Sequence, residues 1–276
     1  MEIRFQNSPA ETAAMQTEAI RKNFLCESLM RDDEINLVYS HYDRMIVGGA
    51  KPITATLTLK AHEELKANYF LERREIGIIN VGGPGKVTTG IEAYELAKLS
   101  CLYVGKGVQD ISFASNDPKD PAIFFLLSTP AHVNHPTRVM HKEEASPVAM
   151  GAAETSNQRV IYKYIHLDGI TSCQLVMGLT VLQHGSVWNS VPPHTHTRRT
   201  EVYFYFDLAP QQRIFHFMGE PTETRHLVLS NYEAVISPPW SIHCGCGSSN
   251  YAFIWGMAGE NLTFADMDQL AIADLK

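Results

Sequence analysis

From residue 34 to residue 258 the chain is a succession of short apolar stretches, each closed by turn-forming residues. EINLVYS, MIVGGAKPI, IGIINVGG, CLYVGKG, ISFAS and AIFFLLS fall in the first half; CQLVMGLTVL, EVYFYFDL, RIFHFMG, HLVLS, EAVISPPW and YAFIWGM fall in the second. Many strand-length runs at roughly ten-residue spacing predict an all-β sandwich or barrel and argue against alternating β-α-β units. Helical patterns are confined to the ends. Glu11 to Met30 has the composition for one or two helices, and Phe264 to Leu275 (FADMDQLAIADL) carries apolar residues at helical spacing. The polar, Ala/Ser-rich segment from Thr137 to Gln158 interrupts the strand rhythm and reads as the connection between two β-domains, residues 1–150 with the helical lead-in and residues 151–276.

The two halves echo one another. Aligned on their glutamates, Asn68-Tyr-Phe70-Leu-Glu-Arg73-Arg74-Glu75 corresponds to His194-Thr-His196-Thr-Arg198-Arg199-Thr-Glu201, and each precedes a strand. Further on, Val104 to Asp110 corresponds to Ser237 to His243. The arginine pair and the glutamate recur, whereas the histidines occur only in the second half. This pattern predicts two copies of one barrel, the first without metal ligands.

Residues two apart on a strand share a face, so His194 and His196 point the same way. Glu201 opens a run in which Glu201, Tyr203 and Tyr205 alternate with Val202, Phe204 and Phe206. A glutamate beside two histidines turns the polar set toward an interior cavity. Two imidazoles and a carboxylate suit Zn, Fe, Mn, Ni or Co, with a position left open for substrate. His243, after the Pro238-Pro239 turn, is the fourth candidate. Zn is favoured for stable binding, and the ligand types leave Mn and Fe open.

Composition narrows the remaining possibilities. A formal net charge of −7, with no Lys/Arg-rich block, excludes a nucleic-acid surface. No apolar run reaches membrane-spanning length, and the N-terminal residues lack a signal-peptide pattern, so a soluble cytoplasmic protein is expected. Five cysteines without regular spacing predict reduced thiols, Cys244 and Cys246 included. GGPGKV and VGKG lack the spacing and the following helix of a phosphate loop, and read as hairpin turns. His132 and His135 read as surface histidines, His41 and His226 as structural ones.

The H-x-H-x4-E run, followed by Pro238 and His243 at P-x4-H spacing, resembles the cupin family, a double-stranded β-helix or jelly roll. Trp240 stands where that family's second motif usually has glycine, which puts the local turn in question. The segments YSHYDRMIVGGAKPI, YFLERREIGIINVGG, LYVGKG, HTHTRRTEVYFYF, GEPTETRHL, ISPPWSIH and FIWGMAGEN are more specific. Together they resemble the 5-keto-4-deoxyuronate isomerase family over nearly the whole chain. The resemblance implies a two-cupin subunit with one Zn²⁺ held by His194, His196, Glu201 and His243, assembled as a homo-hexamer. It also implies ketol isomerisation of a small anionic sugar acid in the breakdown of pectin-derived uronates.

Such a reaction needs a Lewis acid at the carbonyl and a group that moves a proton. Tyr203, His216 and a metal-bound water are the candidates for the proton. Arg159, Lys163, Arg198 and Arg199 are candidates to hold the substrate carboxylate, and Trp188 and Trp255 to line the cavity. Another metal-dependent cupin enzyme, an oxygenase or a different sugar isomerase, carries the same ligands. A non-catalytic sugar-binding cupin is the third reading.

Overall fold

The computed structural model describes residues 1–276. Strands dominate, and they divide between two compact units. The first comprises residues 1–4, 28–146 and 163–177; the second comprises residues 5–27, 147–162 and 178–276.

In the first unit a seven-stranded sheet runs in the order Glu2–Arg4, Ile35–Ser40, Ile46–Ala50, Phe124–Pro130, Arg74–Asn80, Cys101–Val104, Arg138–Met140. A four-stranded sheet follows the order Leu57–Thr58, Ile111–Ser115, Gly85–Thr89, Glu92–Leu96. Alternate residues of both sheets fill one apolar interior: Ile76, Ile78, Leu102, Val104, Phe124 and Leu126 from the large sheet, Val87, Ile111 and Phe113 from the small one.

The second unit repeats this connectivity. Its large sheet runs Val148–Met150, Arg159–Ile165, Val176–Leu182, Ala252–Gly259, Arg199–Phe206, Glu233–Ser237, Leu25–Cys26. Residues 163–165 and 176–177 of these strands group with the first unit. The small sheet runs Trp188–Asn189, Cys244–Gly247, Ile214–Glu220, Glu223–Leu229. Two sheets of seven and four strands in one order, twice over, are the jelly-roll architecture of a two-barrel cupin.

Three details differ from the sequence expectations. The lead-in forms two short helices as expected, Pro9–Ala13 and Thr17–Phe24, but these group with the second unit and not the first. Ser8 caps the first with a Ser8–Glu11 capping box. Ile20 and Phe24 bury the apolar stripe of the second, and Arg21 donates to the Val228 carbonyl at 2.7 Å. The connecting segment 137–158 contains the short strands Arg138–Met140 and Val148–Met150. The tail 264–275 is not an α-helix. It holds the strand Asp268–Gln269, paired with His194–Thr195, and the single 3₁₀ turn Ile272–Asp274.

The echo between the halves also shifts by one residue. Ile76 pairs with Val104, and Glu201 pairs with Ser237, so Ile76 occupies the place of Glu201. Arg74 then matches Arg199. Both are buried and both donate to backbone carbonyls, Arg74 to Arg44 and Ser128, Arg199 to Thr263, Phe264 and Asp266. Glu75, which aligns with Glu201 in the sequence, points to the opposite face. There its carboxylate accepts from the N–H groups of Cys173, Gln174 and Leu175 at 2.7–3.0 Å. The Tyr103 and Thr129 hydroxyls complete the set at 2.7 and 3.1 Å.

Replacing Glu75 by Ala leaves three backbone donors and two hydroxyls without their acceptor. A loss of about 3 kcal/mol or more is expected. Thermal unfolding checks it, with a fall in the midpoint of roughly 6–12 °C; an unchanged midpoint would mean the carboxylate is replaceable by water.

Candidate metal centre

His194, His196, Glu201 and His243 form the one group of three or more His, Cys, Asp or Glu side chains placed to hold a metal ion. All four are buried, and their ligand atoms lie within 4.8 Å of one another. Each arrives on a different kind of support. His194 sits on the short strand paired with Asp268–Gln269, and His196 closes the turn into strand Arg199–Phe206, accepting from the Arg199 N–H at 3.1 Å through its carbonyl. Glu201 lies inside that strand between Ser237 and Met257. His243 follows the turn Pro238–Ser241, which closes through Ser241 N–H to Pro238 O at 2.9 Å. Trp240 fits this turn because the backbone there does not take the positive φ that would demand glycine.

The hydrogen bonds around the cluster test whether a cation belongs there. His196 donates through Nδ1–H to the Asp266 carbonyl at 2.7 Å, and His243 through Nδ1–H to the Ser241 carbonyl at 3.3 Å. With those tautomers fixed, both Nε2 atoms carry lone pairs. Yet each Nε2 lies 2.8 Å from Glu201 Oε2, and His243 Nε2 lies 2.9 Å from His194 Nε2. Acceptors facing acceptors repel; a cation among them turns the same atoms into ligands. Three imidazole nitrogens and one carboxylate oxygen are a donor set that first-row divalent ions take.

The surroundings keep Glu201 ionised and His194 neutral. Burial alone would raise the Glu201 carboxyl, but the closeness of His243 and His196 to its oxygen outweighs it and holds the group well below the usual range. Burial, then the neighbouring His243, pushes His194 down to about 3. His194 therefore presents a neutral nitrogen at any working pH.

Above the cluster lies a cavity of about 360 Å³. His194, Glu201, Tyr203, Trp255 and Arg159 line it, together with groups that the sequence did not single out: Thr180, Ser190, Phe253, Phe264, Met267 and Gln269. The Tyr203 hydroxyl pairs with Ser190 Oγ at 2.7 Å. Trp255 Nε1–H donates to Thr180 Oγ1 at 3.2 Å. Arg159 is the only Arg or Lys on the cavity wall, held through a 2.9 Å bond to the Asn157 carbonyl.

The other sequence candidates stand elsewhere. Arg198 is engaged by Asp266 and Asp268 at 2.7 and 3.0 Å. Arg199 is buried and braces residues 263–266. Lys163 is not among the lining residues, and Trp188 stacks on Phe217 in a separate apolar groove. His216 is fully buried beneath the cavity rather than on its wall, with Nδ1 paired to the Tyr205 hydroxyl at 2.8 Å. Cys244 and Cys246 are free thiols, and burial pushes the Cys244 thiol up to about 12.

A jelly-roll pair in which one barrel buries three histidines and a glutamate beneath a small cavity has the architecture of a cupin with side chains placed to hold a metal ion. The model of the KduI/IolB family matches residues 24–273, and the chain belongs to that family. A relative from Shouchella clausii, "4-deoxy-L-threo-5-hexosulose-uronate ketol-isomerase", is 53% identical over 276 residues, the full length of both chains. By its homology to such ketol-isomerases the chain is an enzyme of the isomerase class, an intramolecular oxidoreductase. Solved structures extend the likeness of fold. An IolB-like protein from Salmonella typhimurium LT2 superposes with a TM-score of 0.69 at 14% identity, covering 90% of this chain and 97% of that one. Oxalate decarboxylase from Bacillus subtilis does so with a TM-score of 0.54 at 10% identity, covering 79% and 69%. No helix of the chain is long and apolar enough to cross a membrane.

The cavity wall depends on one close approach. A Cβ on Gly178 would stand 2.3 Å from Trp255 Cζ2 and 2.4 Å from the Tyr162 carbonyl oxygen. Gly178→Ala is expected to displace the indole, at a cost of about 1–3 kcal/mol, and to shift tryptophan emission to the red. An unchanged spectrum would mean that the wall yields elsewhere.

Proposed function

We propose that this protein is a zinc-dependent ketol isomerase that converts 5-dehydro-4-deoxy-D-glucuronate to 3-deoxy-D-glycero-2,5-hexodiulosonate. What carries the reading is one cation, Arg159, on the wall of a small cavity that is also lined by His194 and Glu201 of the buried His194, His196, Glu201 and His243 cluster. The full-length likeness to named ketol-isomerases supports it.

His194, His196 and His243, through their Nε2 atoms, and Glu201, through Oε2, would hold the ion. Bound there, zinc supplies Lewis acidity that polarises the substrate carbonyl. The chain's own groups do the rest. Arg159, partly desolvated, suits a sugar-acid carboxylate, which its planar guanidinium can grip with two N–H donors. Phe253, Trp255, Phe264 and Met267 exclude water from the reacting carbons. Ketol isomerisation moves one proton between adjacent carbons and another between their oxygens. Burial first, and the Glu201 charge second, keep the Tyr203 phenol protonated, so its hydroxyl is a donor to a substrate oxygen. His216 is held neutral, its pKa depressed to about 3 by burial and by His243, and it supports Tyr205 instead of reaching the cavity. The same reading carries a cytoplasmic homo-hexamer acting on uronates released from pectin.

Turnover of 5-keto-4-deoxyuronate is expected to disappear on complete removal of metal by a chelator and to return with Zn²⁺. Unchanged turnover in metal-free protein sinks the reading. His243→Ala should leave less than a tenth of the wild-type zinc by elemental analysis. Arg159→Gln should lower kcat/KM by roughly 10- to 100-fold, as the loss of a charge-assisted hydrogen-bonded pair does, mainly through KM. An unaltered KM would place the substrate carboxylate elsewhere.

A further inference from the structure

Two of the four ligands, His194 and His196, come from a short stretch that lies outside the large sheets. His194–Thr195 pairs only with Asp268–Gln269, and the surrounding chain is stitched to residues 260–270. Glu260 N–H donates to Arg198 O at 3.1 Å, and Leu270 N–H to Pro193 O at 3.1 Å. Gly259 permits the close approach, since a Cβ there would stand 2.2 Å from the Arg198 carbonyl oxygen.

Asp266 is the joint of this strap. Its carbonyl accepts from His196 Nδ1–H at 2.7 Å and from Arg199 Nη2 at 2.8 Å. Its carboxylate accepts from Arg198 Nε at 2.8 and 2.9 Å and from Asn261 Nδ2 at 2.6 Å. Asn261 Oδ1 in turn accepts the Thr263 N–H at 3.0 Å, and the Asp266 N–H reaches Thr263 O at 3.1 Å. A carbonyl held from both sides fixes which nitrogen of His196 carries the proton and where its ring points. Removing the carboxylate releases the backbone that bears this carbonyl, although the carboxylate itself touches no ligand atom.

We propose that Asp266 is a positioning residue of the metal centre: its carboxylate, clamped by Arg198 and Asn261, sets the carbonyl that orients His196. The proposal rests on the metal reading above. Outer-partner groups of this kind are worth roughly 10- to 100-fold in metal affinity.

The test is Zn²⁺ affinity of the full-length protein, measured by competition with a chromophoric chelator, with the absorption spectrum of the Co²⁺-loaded protein as a second readout. Asp266→Ala should weaken Zn²⁺ binding by roughly 10- to 100-fold and alter the Co²⁺ bands. Arg198→Ala, which also loses the pair with Asp268, should weaken binding as well. Asp266→Glu should recover part of the affinity. Wild-type affinity and an unchanged Co²⁺ spectrum in Asp266→Ala overturn the proposal. If Asp266→Ala does not fold, Asn261→Ala, which removes a single bond to the carboxylate, takes its place; unchanged affinity there overturns the proposal equally. A wild-type protein that binds no Zn²⁺ defeats the metal reading itself, so the two failures are distinct.

Discussion

The two-residue period of the β-strand decides what each barrel contains. Strand Arg199–Phe206 turns Glu201, Tyr203 and Tyr205 inward, and the interior becomes a place for polar atoms. Strand Arg74–Asn80 occupies the same position in the other unit and turns Ile76 and Ile78 inward. The inner strands of the two large sheets follow one order. The topologies differ only at their edges, where Glu2–Arg4 pairs in parallel and Val148–Met150 antiparallel, and in the added pair His194–Thr195 with Asp268–Gln269. One interior is filled mainly by apolar side chains. The other buries hydroxyls, imidazoles and a carboxylate, and each needs a partner.

Those partners explain the shape of the second unit. Tyr203 finds Ser190, Tyr205 finds His216, and Asn189 donates to the Tyr251 hydroxyl at 2.7 Å. The four atoms of the His194, His196, Glu201 and His243 cluster face one another only as acceptors held together at short range. An ion held there would complete this network in the way a hydrogen-bond donor completes the others. The strap of residues 260–270 serves the same end, since it carries the acceptor for His196 and four residues of the cavity wall.

Much of this was legible in the residues. The strand rhythm implies the all-β class, and H-x-H-x4-E with the later histidine marks all four members of the cluster. Three features were not. The tail 264–275 has apolar spacing suited to a helix, but Asp266 and Asp268 are taken by Arg198 and the Phe264 and Asp266 carbonyls by Arg199 and His196, so tertiary contacts override local preference. The glutamate echo misplaces the repeat by one residue, because sequence letters do not reveal which face a residue takes and the arginine pair is the feature held in register. Among the cations, charge alone does not tell Arg159, which faces the cavity, from Arg198 and Arg199, which are spent on the strap. That distinction needs the position of residues more than sixty places away along the chain.

The matched arginines have a wider consequence. Arg74 and Arg199 both tie strand ends to backbone carbonyls, an arrangement that asks nothing of the barrel interior. Brace and chemistry are therefore written in separate letters of the same scaffold. Ile76 stands where Glu201 stands in the other copy, and the strand order survives the exchange. Because well-packed apolar groups can replace buried charge without loss of stability, a duplicated barrel of this design is free to trade reactivity for rigidity in one copy. The other copy can then carry an interior that would be a poor core if it stood alone.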